Sequence, residues 1–411
     1  MANFILIRGA RQLLSLRGSA MPRRGAALRE LGIISDGAVL IRDGVIREVG
    51  PSRRVEALAE ARHADEIDAS GRVVMPGFVD SHTHLVGGPQ APVEGNCPLQ
   101  PLEAFAKIVQ QTSQRTLERR GFAVLEDFVR HGTTMIEAKS GFGVDEAGEL
   151  KILRTHAALN RRTSMLASTF MGTLWLPPGS SSGEYIDWMC SRMLPLLKRR
   201  RLAEFADICC ERDMFSIEQS RRFLSVAREL GFIPKMHAGE TANTGAVEEA
   251  VRLGAASVDH VVLVNESDVE MLAGSHTIAT LLPGPVFFTG RGRYAPARSL
   301  IDGGAAVALA TDYNSHTSPS QNMQMMIVLA CRKMGMTVAE AISAATINGA
   351  HALRRASSRG SIEPGKIADL VILRIPNYRE IPSHFGVNLV ETTIKNGAVV
   401  FQRSKIAWPA A

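Results

Sequence analysis

The sequence predicts an α/β protein centred on a (β/α)8 TIM-like barrel, with a composite β-sandwich domain formed by its N- and C-terminal segments. Three observations predict this. From about residue 73 to 360, short β-like apolar runs alternate with amphipathic helical segments, the pattern of parallel βα units. The runs number eight, enough to close such a barrel. Strand-rich stretches carrying hairpin signals precede and follow the repeat.

Taken in order, residues 4–8 and 13–17 read as short strands. Residues 37–42 and 44–50 read as a further pair joined by Asp43-Gly44, a strong hairpin signal. The first 29 residues carry six Arg and no acid, which would also suit a mitochondrial presequence, but strands are the better account. The barrel strands are expected at 73–80, 133–138, 164–169, 205–210, 233–237, 257–261, 277–282 and 305–311. Helices fall between them, for example at 216–230 and 244–253, with a final helix at 337–353. Strands return at 365–373, 389–395 and 398–402, the last two joined by Asn396-Gly397. The expected division is residues 1–70 and 362–411 for the β-sandwich domain and 71–361 for the barrel. A doubly wound open sheet, the runner-up, would place a glycine-rich phosphate loop after an early strand, and the sequence has none.

Bulk properties narrow the functional classes. Hydrophobic residues make up 45% of the 411, ordinary for a globular enzyme, and no apolar run approaches the ~20 residues that span a bilayer. The net charge of +6 is mild, and the basic spots at 115–120 and 198–201 alternate with apolar residues as solvated helix faces do. No nucleic-acid or membrane partner is expected. Cysteines at 97, 190, 209, 210 and 331 are odd in number and lack metal-finger spacing, which fits a reducing, cytoplasmic setting.

The strongest local signal is Asp80-Ser81-His82-Thr83-His84 at the end of an apolar strand. Residues i and i+2 of a strand share a side, so both imidazoles can meet one ion, though HxH alone is a weak motif. Position strengthens it, because barrel enzymes carry their chemistry at the C-terminal ends of strands. Four more candidates fall at such ends: His237 and Glu240, His260, and Asp312. Singly, each is as easily a satisfied polar residue; six in register are not. Neutral imidazole and carboxylate are the usual ligands of zinc and non-haem iron. His63, His156, His351 and His384 lie in helical or loop stretches and read as surface imidazoles. His131 and His276 precede strands, at the wrong end for chemistry, whereas His316 follows Asp312 in a loop that should overhang the site.

At these residues the chain resembles a known family. Pro76-Gly77-Phe78-Val79-Asp80-Ser81-His82-Thr83-His84, the later HxxE, DH and TD, and Pro364-Gly365-Lys366-Ile367-Ala368-Asp369-Leu370 are typical of the amidohydrolase superfamily. Within it the chain is most similar to the imidazolonepropionases. Glu137-Ala138-Lys139-Ser140-Gly141-Phe142-Gly143, Thr169-Phe170-Met171-Gly172, Leu281-Leu282-Pro283-Gly284 and Ala310-Thr311-Asp312-Tyr313-Asn314 carry that likeness. The resemblance implies one zinc or iron ion per chain, held by His82, His84, His237 and Asp312. It implies that Glu240 hydrogen-bonds the attacking water and the substrate ring, that His260 sits beside the scissile carbonyl, and that Asn314 and Thr317 lie in the substrate loop. Lys139 resembles the carboxylated lysine that bridges two metals in other superfamily members, but a structural or hydrogen-bonding role fits this family better.

The departures cluster where substrate should bind. Gln90 stands where the family has the arginine that grips the substrate carboxylate, one residue short in register, and a neutral amide cannot replace that charged fork. Phe142 replaces a tyrosine, Leu174 a histidine, and His316 a glycine. Weak carboxylate binding follows unless Arg291 or Arg293 substitutes from another loop. The leading expectation is a metal-dependent hydrolase of a cyclic amide, converting 4-imidazolone-5-propanoate and water to N-formimidoyl-L-glutamate in histidine degradation. A hydrolase or deaminase of a less anionic heterocycle is the alternative, and a non-catalytic metal-barrel binding protein the second. The expected partner is a small heterocycle, with a homodimer left open.

Overall fold

The computed structural model describes residues 3–87, 102–177 and 179–404. Gln90, its neighbours at 88–101 and Cys97 lie outside the described residues. Eight parallel strands follow one another around a barrel in chain order. They are Phe78–Asp80, Thr133–Lys139, Leu166–Thr173, Phe205–Cys209, Ile233–Ala238, Ser257–His260, Ile278–Leu281 and Val307–Leu309. This strand order excludes the open doubly wound sheet, whose order reverses part-way.

No backbone ladder joins the first and eighth strands among the described residues. Three interactions close that seam instead. Asp80 accepts from the Thr311 amide (3.0 Å) and hydroxyl (2.5 Å). The His84 amide donates to the Tyr313 carbonyl (2.7 Å), and the Val79 amide donates to the carbonyl of Ala345, just after the helix Val338–Ala344 (2.9 Å). Closure therefore depends on residues flanking the metal-type motifs.

The chain ends supply the second layer. Strands Phe4–Leu14, Ile33–Arg42, Val45–Pro51, Asp65–Asp68 and Val73–Pro76 join Leu370–Leu373, Val390–Lys395 and Ala398–Gln402 in one mixed eight-stranded sheet. Asp43-Gly44 and Asn396-Gly397 have positive φ at both positions (+49° and +83°, +50° and +77°), the form that matches hairpin twist. The sheet curls until these two tips meet. A Cβ on Gly44 would stand 2.6 Å from the Asn396 carbonyl oxygen, so only glycine fits there. Between the two halves lies a core of Ile7, Leu13, Val39, Ile46, Ile372 and Ile394.

Several expectations need correction. Residues 73–80 are two strands: Val73–Pro76 pairs with the terminal sheet, and Phe78–Asp80 starts the barrel. An unbroken apolar run cannot reveal that its halves serve different sheets. Residues 4–17 hold one strand, Phe4–Leu14, with an irregularity at Gly9 (φ +71°). The final helix breaks at Thr346 into Val338–Ala344 and Ile347–Ala352. His156 is fully buried, not a surface imidazole. Among the described residues no helix is long and apolar enough to cross a membrane.

Candidate active site

Alternation decides which side chains enter the barrel. Asp80, His82 and His84 form an i, i+2, i+4 series at the end of strand one; Glu137 and Lys139 lie on strand two, and Lys235 and His237 on strand five. With Asp207 and Asp259 these make a buried, charged floor beneath the mouth. Lys139 Nζ donates to Asp207 Oδ2 (2.5 Å) and Glu137 Oε1 (3.0 Å) and lies 3.3 Å from Asp259 Oδ2. Lys235 Nζ donates to Glu137 Oε2 (2.5 Å) and the Ser81 carbonyl (3.1 Å). Thr169 and Ser257 donate to Glu137 and Asp259. All five charged groups are fully buried. Burial opposes the Lys139 charge, but Asp207, Glu137 and Asp259 outweigh it and hold the ammonium above the usual lysine range. Such an ammonium is no nucleophile, so the geometry favours the hydrogen-bonding role for Lys139.

The floor positions the imidazoles above it. His82 Nδ1 lies 2.7 Å from Asp259 Oδ2, which leaves His82 Nε2 buried and without a partner. His237 Nδ1 lies 3.1 Å from Asp207 Oδ2, without hydrogen-bond alignment. An acid behind an imidazole fixes its tautomer and turns the other nitrogen toward a ligand. Asp312 Oδ1 stands 3.6 Å from His82 Nε2 and 3.7 Å from His84 Nε2. The sequence-predicted groups converge in two overlapping sets that share His82: His82, His84 and Asp312, and His82, His237 and His260. His260 thus stands among the imidazoles, its ring centre 5.1 Å from that of His237 and 5.7 Å from that of His82.

Electrostatics suit a cation. Burial holds His82 and His84 well below the ordinary imidazole range, in the neutral form whose lone pair can coordinate. Burial pushes the Asp312 carboxyl up to about 7, so its ionised form awaits a positive charge. His260 (φ +79°), Val261 (+43°) and Asp312 (+50°) hold left-handed backbone at the ends of strands six and eight, strain that recurs at functional sites.

Glu240 lies beyond strand five, its Oε2 3.7 Å from His260 Nδ1 and its Oε1 in contact with Arg291 Nη1. His260, more than Arg291, holds this carboxyl below the usual range against its burial. Glu211 fixes the loop, accepting from the amides of Glu240 (2.7 Å), Thr241 and Ala242. Phe142 packs edge-on to His84 at 5.6 Å, and Phe105 stands between Phe142 and His316. Leu174 packs on the same apolar cluster. Asn314 donates to the Asp312 carbonyl (2.8 Å) and accepts from the His316 and Thr317 amides, so it shapes its own loop. Sequence reasoning missed Glu137, Asp207, Glu211, Lys235 and Asp259 as parts of the site. Charged residues inside apolar barrel strands were the available signal for all but Glu211.

A model of the amidohydrolase family matches residues 73–400. The chain belongs to the amidohydrolase family. It is 41% identical over 408 residues to the imidazolonepropionase of Parabacteroides distasonis, covering 96% of this chain and 98% of that one. It is 40% identical to the imidazolonepropionase of Geobacillus kaustophilus, with 98% and 99% covered. In fold it is similar to an adenosine deaminase from Xanthomonas campestris with bound zinc, with a TM-score of 0.71, 18% identity and 97% and 93% covered. This amidohydrolase is a metal-dependent enzyme, and its His/Asp cluster supplies the donors a metal ion needs.

Proposed function

We propose that this enzyme hydrolyses 4-imidazolone-5-propanoate to N-formimidoyl-L-glutamate, using one zinc or iron ion held by His82, His84, His237 and Asp312. One observation carries the reading: His82, His84, His237, His260 and Asp312 converge on one mouth, with Glu240 3.7 Å from His260, in a chain 41% identical over nearly its whole length to an imidazolonepropionase. The partnerless Nε2 of His82 and the carboxyl of Asp312 fit a cation. When bound, the metal supplies Lewis acidity, favouring ionisation of water near neutral pH and polarising a carbonyl.

The chain's own residues do the rest. Glu240 takes the proton of the attacking water and returns it to the ring nitrogen as the carbon–nitrogen bond breaks. His260, held beside Glu240, polarises the carbonyl oxygen. Asp312 orients the water. Asp259 keeps His82 in the tautomer that faces the mouth, and Asp207 stands behind His237. Asn314 and Thr317 hold the loop over the substrate, and His316, Phe142 and Leu174 form the wall beside His84. The free cysteines at 190, 209, 210 and 331 support a reducing, cytoplasmic setting.

The apolar packing of Phe142, Leu174 and Phe105 favours a second reading, hydrolysis or deamination of a less anionic ring. Turnover of imidazolone propionate against a panel of neutral cyclic amides and aminated heterocycles decides between them. Formimidoylglutamate as product, at kcat/KM of ~10⁴ M⁻¹s⁻¹ or more, supports the first; turnover of neutral rings alone supports the second.

A further inference from the structure

A cavity of about 410 Å³ opens beside the catalytic pair, lined by Glu240, His260, Val262, Val286, Arg291 and Arg293 among others. Its size suits a small heterocycle with a side chain. Among the described residues Glu240 is its one acid, and Arg291 and Arg293 are its two cations. Both arginines come from the loop between helices Pro283–Phe288 and Ala297–Asp302, after strand seven. Among the described residues, the opposite side of the mouth offers little to an anion. Phe142 and Leu174 are apolar, Lys139 and Lys235 are consumed by the buried acids, and Arg120 reaches only a cleft of about 50 Å³ behind His84.

We infer that Arg291, assisted by Arg293, is the group that recognises the carboxylate tail of the substrate, and that the tail displaces Glu240 from Arg291 as it binds. The inference rests on the imidazolone propionate reading of the site. Arg291 touches Glu240, so its guanidinium is occupied by the acid that the chemistry needs free. Its side chain is half exposed, and it stands between Gly290 (φ +68°) and Gly292 (φ +70°), with open space around both. A guanidinium fork binds a carboxylate in two parallel hydrogen bonds, which the tail can offer in place of Glu240. An anionic substrate thereby releases Glu240 toward the ring; a neutral one leaves it paired.

The test uses the metal-loaded enzyme and two non-hydrolysable probes, imidazole-4-propionate and its neutral propionamide, with Kd read by calorimetry. The wild type should prefer the acid. Arg291→Met should weaken the acid by about 10- to 150-fold, the scale of a lost charge-assisted contact, and the amide by less than about 2-fold. Arg291→Lys should recover part of the loss, and Arg293→Met should show a smaller one. Equal binding of both probes by the wild type, or an equal loss of both in Arg291→Met, overturns the inference. So does a loss confined to Arg293→Met. An Arg291-dependent preference for the acid in an enzyme that does not turn over imidazolone propionate would keep the clamp and defeat the assigned reaction.

Discussion

The floor of the barrel and the rim of its mouth solve opposite problems. On the floor, Glu137, Lys139, Asp207, Lys235 and Asp259 are fully buried, and three carboxylates share two ammonium groups at 2.5–3.3 Å. On the rim, Phe142, Leu174 and Phe105 make one apolar wall, while Glu240 and Arg291 form a half-exposed pair on the other. A dry network tolerates no partial change, because any removed partner leaves a buried charge unanswered. The half-exposed Glu240–Arg291 pair can exchange partners, since water replaces what is lost.

The largest effect should come from breaking the floor. Lys139→Met leaves Asp207, Glu137 and Asp259 short of their shared ammonium and should cost about 3–5 kcal/mol of unfolding free energy in a urea titration. A loss under about 1 kcal/mol would show that the floor is not the coupled network described.

At the boundary between floor and rim, Glu240→Gln should keep metal and fold but lower kcat by on the order of 10²-fold or more. Unchanged turnover would remove Glu240 from the proton path. Asp259→Asn, which removes the acid behind His82, should weaken metal binding by about 10- to 100-fold in a chelator competition. An unaltered metal affinity would mean that His82 needs no acid behind it.

Just below neutral pH, the smallest expected effect lies outside both regions. Burial pushes His156 down to about 3, so between its ordinary ~6.5 and that value the unfolded chain binds one more proton than the folded one. Its stability contribution is complete above about pH 6.5 and is lost as pH falls, at up to about 1.4 kcal/mol per pH unit. His156→Gln should flatten that part of the urea midpoint against pH by one proton. An unchanged slope would assign the acid sensitivity to other groups.

Much of the site was legible because strands repeat every two residues. His82 and His84 at i and i+2, and His237, His260 and Asp312 at the ends of apolar runs, announce one mouth before any fold is known. Phe142 and Leu174 could be read as apolar, but not that they pack beside His84. His156 was misplaced because a helical histidine carries no local mark of burial.

By itself the sequence determined the eight-strand alternation, both hairpins and the strand-end placement of His82, His84, His237, His260 and Asp312, because each follows from local periodicity or turn chemistry. Only the tertiary structure decided that residues 73–80 divide between two sheets and that Asp80 and Thr311 close the barrel seam. It also decided that Asp259 backs His82 and that Arg291 touches Glu240, pairs separated by 177 and 51 residues. The physical reason is the same in each case. Hydrogen bonds and ion pairs depend on distance and burial, and chain closure sets both between residues whose sequence neighbourhoods carry no record of one another.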